Sequence, residues 1–301
     1  MRGLSSHSTR LPAVIAVVAG IATFSAMDAA IKGASLAVGV YTALLLRNII
    51  GTALVLPFWL ASKPRWPGPP ILALHVLRSS VNTGMALLFF VGLVRIPMAE
   101  GMALSFIAPL IALFLAAVFL GERIRVQAVI ASMLGLTGVV VIVGSRLGPS
   151  EADPEVLLGI AAVLASAVLY AVNLVLQRKQ AVLASPVEIT LFQNMIVALI
   201  LMVFAPWLLV LPSSEILALI AFGAVCATIA LSLFAWGYAR AEAQVLLPLE
   251  YTAFVWAALF GWIFFAEPLS AATLAGTVLI VMGCWIGTRN PAREHTEQTA
   301  V

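Results

Sequence analysis

LLPLEYTAFVWAALFGWIFFAEP, from Leu246 to Pro268, sets a proline, a carboxylate and two tryptophans inside one long apolar run. As a helix, the stretch from Ala243 to Phe265 covers about 34 Å, against a hydrocarbon core of about 30 Å. Glu250 is therefore expected at membrane depth, where a carboxylate costs on the order of 2.5 to 3.5 kcal/mol and faces a water-filled cavity or a partner. Pro248 brings no N–H, and its ring collides with the carbonyl of Gln244, so the helix is predicted to kink or open beside Glu250.

Composition agrees with a membrane solvent. The chain is 63% hydrophobic and 10% charged, where a soluble domain carries about 25% charged residues. The expected class is an all-α integral membrane protein. A net charge of +3 is no nucleic-acid signature. The two cysteines, Cys226 and Cys284, fall in apolar runs, and His7, His75 and His295 are scattered, so no disulfide framework, metal site or cofactor is expected. A membrane-embedded enzyme would need a motif such as HExxH or GxSxG, and an ATP-driven pump a Walker A loop; the sequence has none of them.

The chain repeats itself. A shift of 145 residues brings Thr83 onto Thr228, Phe89 onto Phe234, Gly92 onto Gly237, Arg95 onto Arg240, Phe119 onto Phe264, Glu122 onto Glu267 and Gly138 onto Gly283. With GERI at Gly121 to Ile124 and AEPL at Ala266 to Leu269, each followed by a Gly-containing span, the sequence resembles the EamA type of the drug/metabolite transporter superfamily over nearly all of residues 12–288. The resemblance implies a secondary transporter of a small metabolite. Its range covers amino-acid and metabolite exporters as well as uptake permeases for compounds such as riboflavin or S-adenosylmethionine.

Apolar runs predict spans at 12–30, 38–61, 71–94, 97–120, 126–145, 156–177, 186–211, 214–237, 243–265 and 270–288. The first is read as a span and not as a cleaved leader, because Asp28 and Lys32 follow its apolar stretch one turn apart. Ten spans form two five-helix repeats, 12–145 and 156–288, separated by the polar loop 146–155. With the N-terminus in the cytoplasm, Arg2, Arg10, Lys63, Arg65, Arg123, Arg125, Arg178, Lys179, Arg240, Arg289 and Arg293 fall inside, and only Lys32, Arg95 and Arg146 outside. Both termini are then cytoplasmic in a bacterial inner membrane. An odd number of helices per half inverts the second half, the arrangement of many transporters with a midplane site.

The remaining two basic residues, Arg47 and Arg78, lie within spans. Arg47 is too deep to snorkel and suits a carboxylate, with a structural pair to Asp28 or Glu250 as the competing reading. Glu250 and Asp28 are the candidate protonatable groups, although Asp28 at i, i+4 from Lys32 also fits a local ion pair. Glu100, in the first turn after Pro97, suits either substrate contact or the positive end of its helix. Asn82, Tyr170, Asn173, Gln193, Asn194, Tyr251 and Trp256 complete the candidate cavity, with inter-helix hydrogen bonding an equal account of the amides. Glu122 and Glu267 read as structural groups at the start of the following helices, and Trp59, Trp66, Trp207, Trp262 and Trp285 as interfacial belt residues. A deep arginine and glutamate near aromatic rings suit a polar, zwitterionic or heteroaromatic small molecule. The expected partners are that substrate, the lipid bilayer, a coupling proton and a second copy of the chain as a homodimer; nucleic acid is not among them.

Overall fold

The computed structural model describes residues 5–62, 66–112, 126–145, 153–240 and 246–288, and among the described residues every element is helical. In order they are α1 (Ser5–Val38), α2 (Val40–Ala61), α3 (Pro69–Leu93), α4 (Met98–Ser105), α5 (Val126–Gly144), α6 (Pro154–Ala181), α7 (Pro186–Met202), a single helical turn (Ala205–Leu208), α8 (Ser214–Tyr238), a 3-10 helix (Leu247–Thr252), α9 (Ala253–Phe265) and α10 (Ala271–Thr288). Five of these helices are long and apolar enough to cross a membrane, and five shorter apolar stretches accompany them.

Local chemistry sets the boundaries. Pro69, Pro154 and Pro186 occupy first-turn positions, where no N–H is needed. The side chains of Asp153, Ser185 and Ser213 accept from the N–H groups of Glu155, Glu188 and Ile216. Gly39, at φ 82°, turns the chain between α1 and α2 in a conformation open to a residue without Cβ. The first helix therefore runs eight residues past its expected end at Ala30: nothing breaks it before Gly39, and Lys32, expected in an outer loop, is 3% exposed.

Three spans are not continuous α-helix. The seventh, expected over 186–211, is helical to Met202, turns at Val203 and Phe204 and adds a single helical turn over Ala205–Leu208. The ninth begins as a 3-10 turn over Leu247–Thr252 and becomes α-helical only at Ala253, as a proline near the start of the segment demands. The fourth breaks into a turn at Phe106 and Ile107 before helix resumes at Ala108, a break the apolar run concealed. Residue 108 is the 145-residue counterpart of 253, so the two halves open at matching points. The rest of the fourth span, with GERI and Glu122, lies outside the described residues.

Helices from the two halves pack in pairs. Gly20 and Gly33 of α1 approach Phe234 and Leu219 of α8, and Arg78 and Gly92 of α3 meet Asn173 and Gly159 of α6. On α2, Tyr41 bonds to the Leu201 carbonyl of α7, while Trp59 stacks edge-on to Phe192. On α5 and α10, Gly138 abuts Ile280 and Gly276 abuts Ile142. In each pair numbers rise along one helix as they fall along the other, so each pair is antiparallel. Trp59 is thus 6% exposed inside a cluster with Leu191 and Phe192, whereas Trp66, Trp207, Trp262 and Trp285 are exposed as belt residues would be. Met133, Leu136 and Val140 leave an apolar stripe on the outside of α5.

One of these close contacts is directly testable. A Cβ on Gly138 would stand 2.5 Å from the Gly276 carbonyl oxygen and 2.6 Å from Ile280, while one on Gly144 would meet nothing within 4 Å. Gly138→Val is therefore expected to cost about 1–3 kcal/mol or more in overpacking. Gly144→Val is expected to change little, and melting temperatures of the two variants in detergent check the contrast.

Candidate functional site

Charged and polar side chains gather inside this apolar scaffold in three groups. The first joins α1 to α2. Asp28 is 3% exposed and lies within electrostatic reach of Arg47, whose Nη1 is 3.3 Å from Met27 Sδ. Asp28 does not turn to Lys32 on its own helix. The two side chains share a helical stripe, but the burial of both favours separate partners, each of opposite charge.

Lys32 instead forms the second group. Its ammonium binds Glu267 Oε1, donates to the Ile96 carbonyl at 3.0 Å and stands 5.1 Å above the Phe265 ring. Glu267 Oε2 accepts from the Met98 N–H at 2.7 Å, so the carboxylate caps α4 and not the helix that follows it in sequence. Two backbone features place it there. Ala266 takes a left-handed conformation at φ 52° that closes α9, with the Glu267 N–H returning to the Gly261 carbonyl. Gly261, without a side chain, leaves room for the carboxylate: a Cβ there would be 2.5 Å from Oε2. This cluster ties α1, the α3–α4 turn and the α9–α10 turn at one end of the molecule. The exposed pair of Arg95 Nε and Glu155 Oε2, at 2.7 Å, lies at the same end.

The third group joins α3, α6 and α7: the candidates Asn82, Tyr170 and Asn173 are joined there by His75, Arg78, Gln180 and Glu188, which are not among the candidates. His75 and Arg78 are buried on the same face of α3 as Asn82, at helical spacing, the one signal in the sequence that points to them. Arg78 donates from Nε to Asn173 Oδ1 at 3.0 Å and from Nη1 to Gln180 Oε1 at 2.6 Å. Gln180 Nε2 is 2.6 Å from His75 Nδ1, and His75 Nε2 is 3.2 Å from Glu188 Oε1. Tyr170, half-buried one turn before Asn173, lies within electrostatic reach of both Arg78 and Glu250. Glu250 is exposed on the 3-10 turn.

The other candidates sit around these groups. Tyr251 meets Phe106 edge-on, with centroids 5.3 Å apart at 90°; the two residues are 145-residue counterparts, so equivalent points of the halves touch. Trp256 packs with Val17, Ile21 and Leu246 and lies 6.0 Å from Phe260. Glu100 is wholly buried in the first turn of α4. Asn194 of α7 covers Gly51 of α2, where a Cβ would be 3.0 Å from its amide nitrogen. Gln193 is half-buried on α7.

Known proteins share this organisation. The model of the EamA-like transporter family matches the chain twice, over residues 11–144 and 157–288. The "Aromatic amino acid exporter YddG" of Ancylobacter novellus is 31% identical over 214 residues, covering 68% of this chain and 72% of the relative. The "Pseudopaline exporter CntI" of Pseudomonas aeruginosa is 26% identical over 276 residues, 90% of this chain and 93% of the relative. An "S-adenosylmethionine uptake transporter" of Rickettsia felis is 27% identical over 215 residues, 69% and 68% of the two chains. A solved crystal structure superposes with a TM-score of 0.63 at 26% identity, over 93% of this chain and 97% of the other.

Proposed function

We propose, from the premise that this chain belongs to the EamA-like transporter family of the drug/metabolite transporter superfamily, that it is an inner-membrane secondary transporter exporting a small polar, zwitterionic or heteroaromatic metabolite by alternating access with proton coupling. Two relatives named as exporters favour export, and the relative named for S-adenosylmethionine uptake keeps an uptake permease as the second reading. The observation that carries the proposal is Asp28, buried inside α1 and within electrostatic reach of Arg47 on α2. Intramembrane charges of this kind are costly and mark substrate or proton pathways.

In this reading ten spans form two inverted five-helix halves, 12–145 and 156–288. The antiparallel pairing of α2 with α7 and of α5 with α10 supports it, as do the matching breaks at residues 108 and 253. Both termini face the cytoplasm, so the Lys32–Glu267 cluster closes the outer end, and Glu250 opens toward the inner one. Single cysteines at Ser62 and Ser270 in a chain lacking Cys226 and Cys284 are expected to label from opposite sides of the membrane. Labelling of both from one side contradicts inverted halves.

Asp28 and Glu250 carry the coupling proton in this scheme. A proton on Asp28 removes the charge that Arg47 faces and frees the guanidinium for an anionic group of the substrate. Arg47→Lys keeps the charge and loses the planar fork, so transport is expected to fall roughly tenfold or more while membrane abundance stays near wild type. Unchanged transport assigns Arg47 to structure alone.

A further inference from the structure

Where α1 and α8 run side by side, a groove of about 770 Å³ opens on the outer surface of the molecule, distinct from the three polar groups inside it. Leu11, Ile15 and Ala19 line it from α1, and Thr228, Ser232 and Trp236 from α8. Both hydroxyls turn in on their own helix: Thr228 Oγ1 donates to the Ala224 carbonyl at 3.0 Å, and Ser232 Oγ to the Thr228 carbonyl at 2.9 Å. An occupant therefore meets apolar surface along most of the groove. Leu11, Ile15 and Trp236 are 64%, 58% and 40% exposed until something covers them.

Its length and its charged mouth narrow the choice of occupant. The two helices are antiparallel here, with Gly237 against Val17 and Gly20 against Phe234. Leu11 to Ala19 on one, and Trp236 back to Thr228 on the other, each rise about 12 Å, against about 15 Å for half of a bilayer's hydrocarbon core. That length suits an acyl chain in one leaflet and is too short for a spanning helix of a second copy. At the mouth, α8 ends at Tyr238 and Arg240 follows. The Arg240 guanidinium lies over the Trp236 ring, 4.2 Å from its centroid, and Nη1 donates to the Trp236 carbonyl at 3.1 Å. Arg240 is exposed, and among the described residues no carboxylate lies within ion-pair distance of it. Its remaining N–H groups are open to an acceptor, and the planar fork of a guanidinium matches a phosphate.

We propose that the α1–α8 groove is a binding site for an anionic phospholipid, one acyl chain lying between Leu11, Ile15 and Trp236 and the phosphate resting on Arg240. Trp236 then sits at headgroup level, the usual depth of a tryptophan at the edge of a membrane. A zwitterionic phospholipid brings its own cation beside the phosphate and gains less from Arg240; a net anionic one gains the attraction of a basic residue at the surface. In the topology proposed above this end lies in the cytoplasmic leaflet, whose surface is anionic. Such a site is independent of the molecule transported.

The test reconstitutes the full chain in vesicles of phosphatidylglycerol and phosphatidylcholine in equal amounts, with brominated acyl chains on one lipid or on the other, so that surface charge is the same in both. Bromine quenches nearby tryptophan, and the difference between wild type and Trp236→Phe isolates residue 236. Brominated phosphatidylglycerol is expected to quench Trp236 as though enriched roughly fivefold over phosphatidylcholine. Arg240→Gln should bring that ratio close to one, and Arg240→Lys retain much of it. Ser232→Phe keeps Arg240 and fills the groove one turn from Trp236, and it should lose the preference as well. Equal quenching by the two lipids in the wild type makes the groove ordinary bilayer contact and overturns the site, as does a preference that survives Arg240→Gln or Ser232→Phe. Protection of Trp236 from both lipids would mean that a second copy of the chain covers the groove, and also overturns it. If Trp236→Phe fails to fold, mass spectrometry of lipids held by the chain extracted from the same mixture decides: an excess of phosphatidylglycerol in the wild type that Arg240→Gln loses supports the site, and equal retention of the two lipids contradicts it.

Discussion

Lys32→Met is expected to destabilise the folded chain by about 3 kcal/mol, the lower end of the cost of removing one partner of a buried pair, since the carboxylate left behind is partly buried. Lys32 is 3% exposed, and Glu267, whose side chain is 15% exposed, shares its carboxylate between that ammonium and the Met98 N–H, so water replaces the lost partner only in part. The Ile96 carbonyl loses its donor in the same step. The double variant Lys32→Met/Glu267→Gln removes both charges while an amide oxygen can still accept from Met98, and it should regain most of the loss. Thermal unfolding in detergent of the wild type, both single variants and the double variant measures the coupling. A single Lys32→Met variant as stable as the wild type would mean that the pair holds nothing together.

Glu250→Gln is expected to abolish proton-driven net transport while substrate exchange survives. The residue lies on a 3-10 turn, exposed, within electrostatic reach of Tyr170. A glutamine keeps the size and hydrogen-bonding capacity of the protonated carboxyl and cannot release a proton, so it mimics one state of the cycle and blocks the other. The pH dependence of binding should flatten in the variant. A glutamine variant that still drives substrate against its gradient with the wild-type pH profile removes Glu250 from coupling. Loss of folded protein would point to a structural role at the opening of the helix, and Glu250→Asp, which restores a titratable group on a shorter arm, separates the two.

Much of the helical architecture could be read from the chain because a membrane solvent leaves few alternatives: apolar runs with polar or proline punctuation become helices whose backbone groups satisfy one another. Pro248 gave away the opening of the ninth span, since a missing N–H is a local fact. The break at Phe106 was hidden, because no residue there forbids the helix and only its counterpart at Thr252 hints at it. Partners were harder. Asp28 and Lys32 at i, i+4 read as a pair, yet each finds its counter-charge on another element, Arg47 in one case and Glu267 in the other. Local spacing cannot anticipate which helices will face each other. Glu267 has the sequence position of a helix-start carboxylate and is one, but for α4, some 170 residues earlier in the chain. Arg78 was visible as an arginine within a span, and its significance emerged only when α6 and α7 brought Asn173, Gln180 and Glu188 around it.

Movement of a small metabolite across a membrane is the activity to which the apolar helices, the buried charges and the family all point. Its most direct test reconstitutes the purified wild-type chain into sealed liposomes loaded with a compound identified from metabolite levels inside and outside cells with and without the chain, imposes a pH difference, and follows the compound on both sides. The expected result is protein-dependent movement that saturates with concentration and that the pH difference drives beyond equal concentrations. Liposomes with the folded chain that retain the compound as tightly as protein-free ones would contradict it.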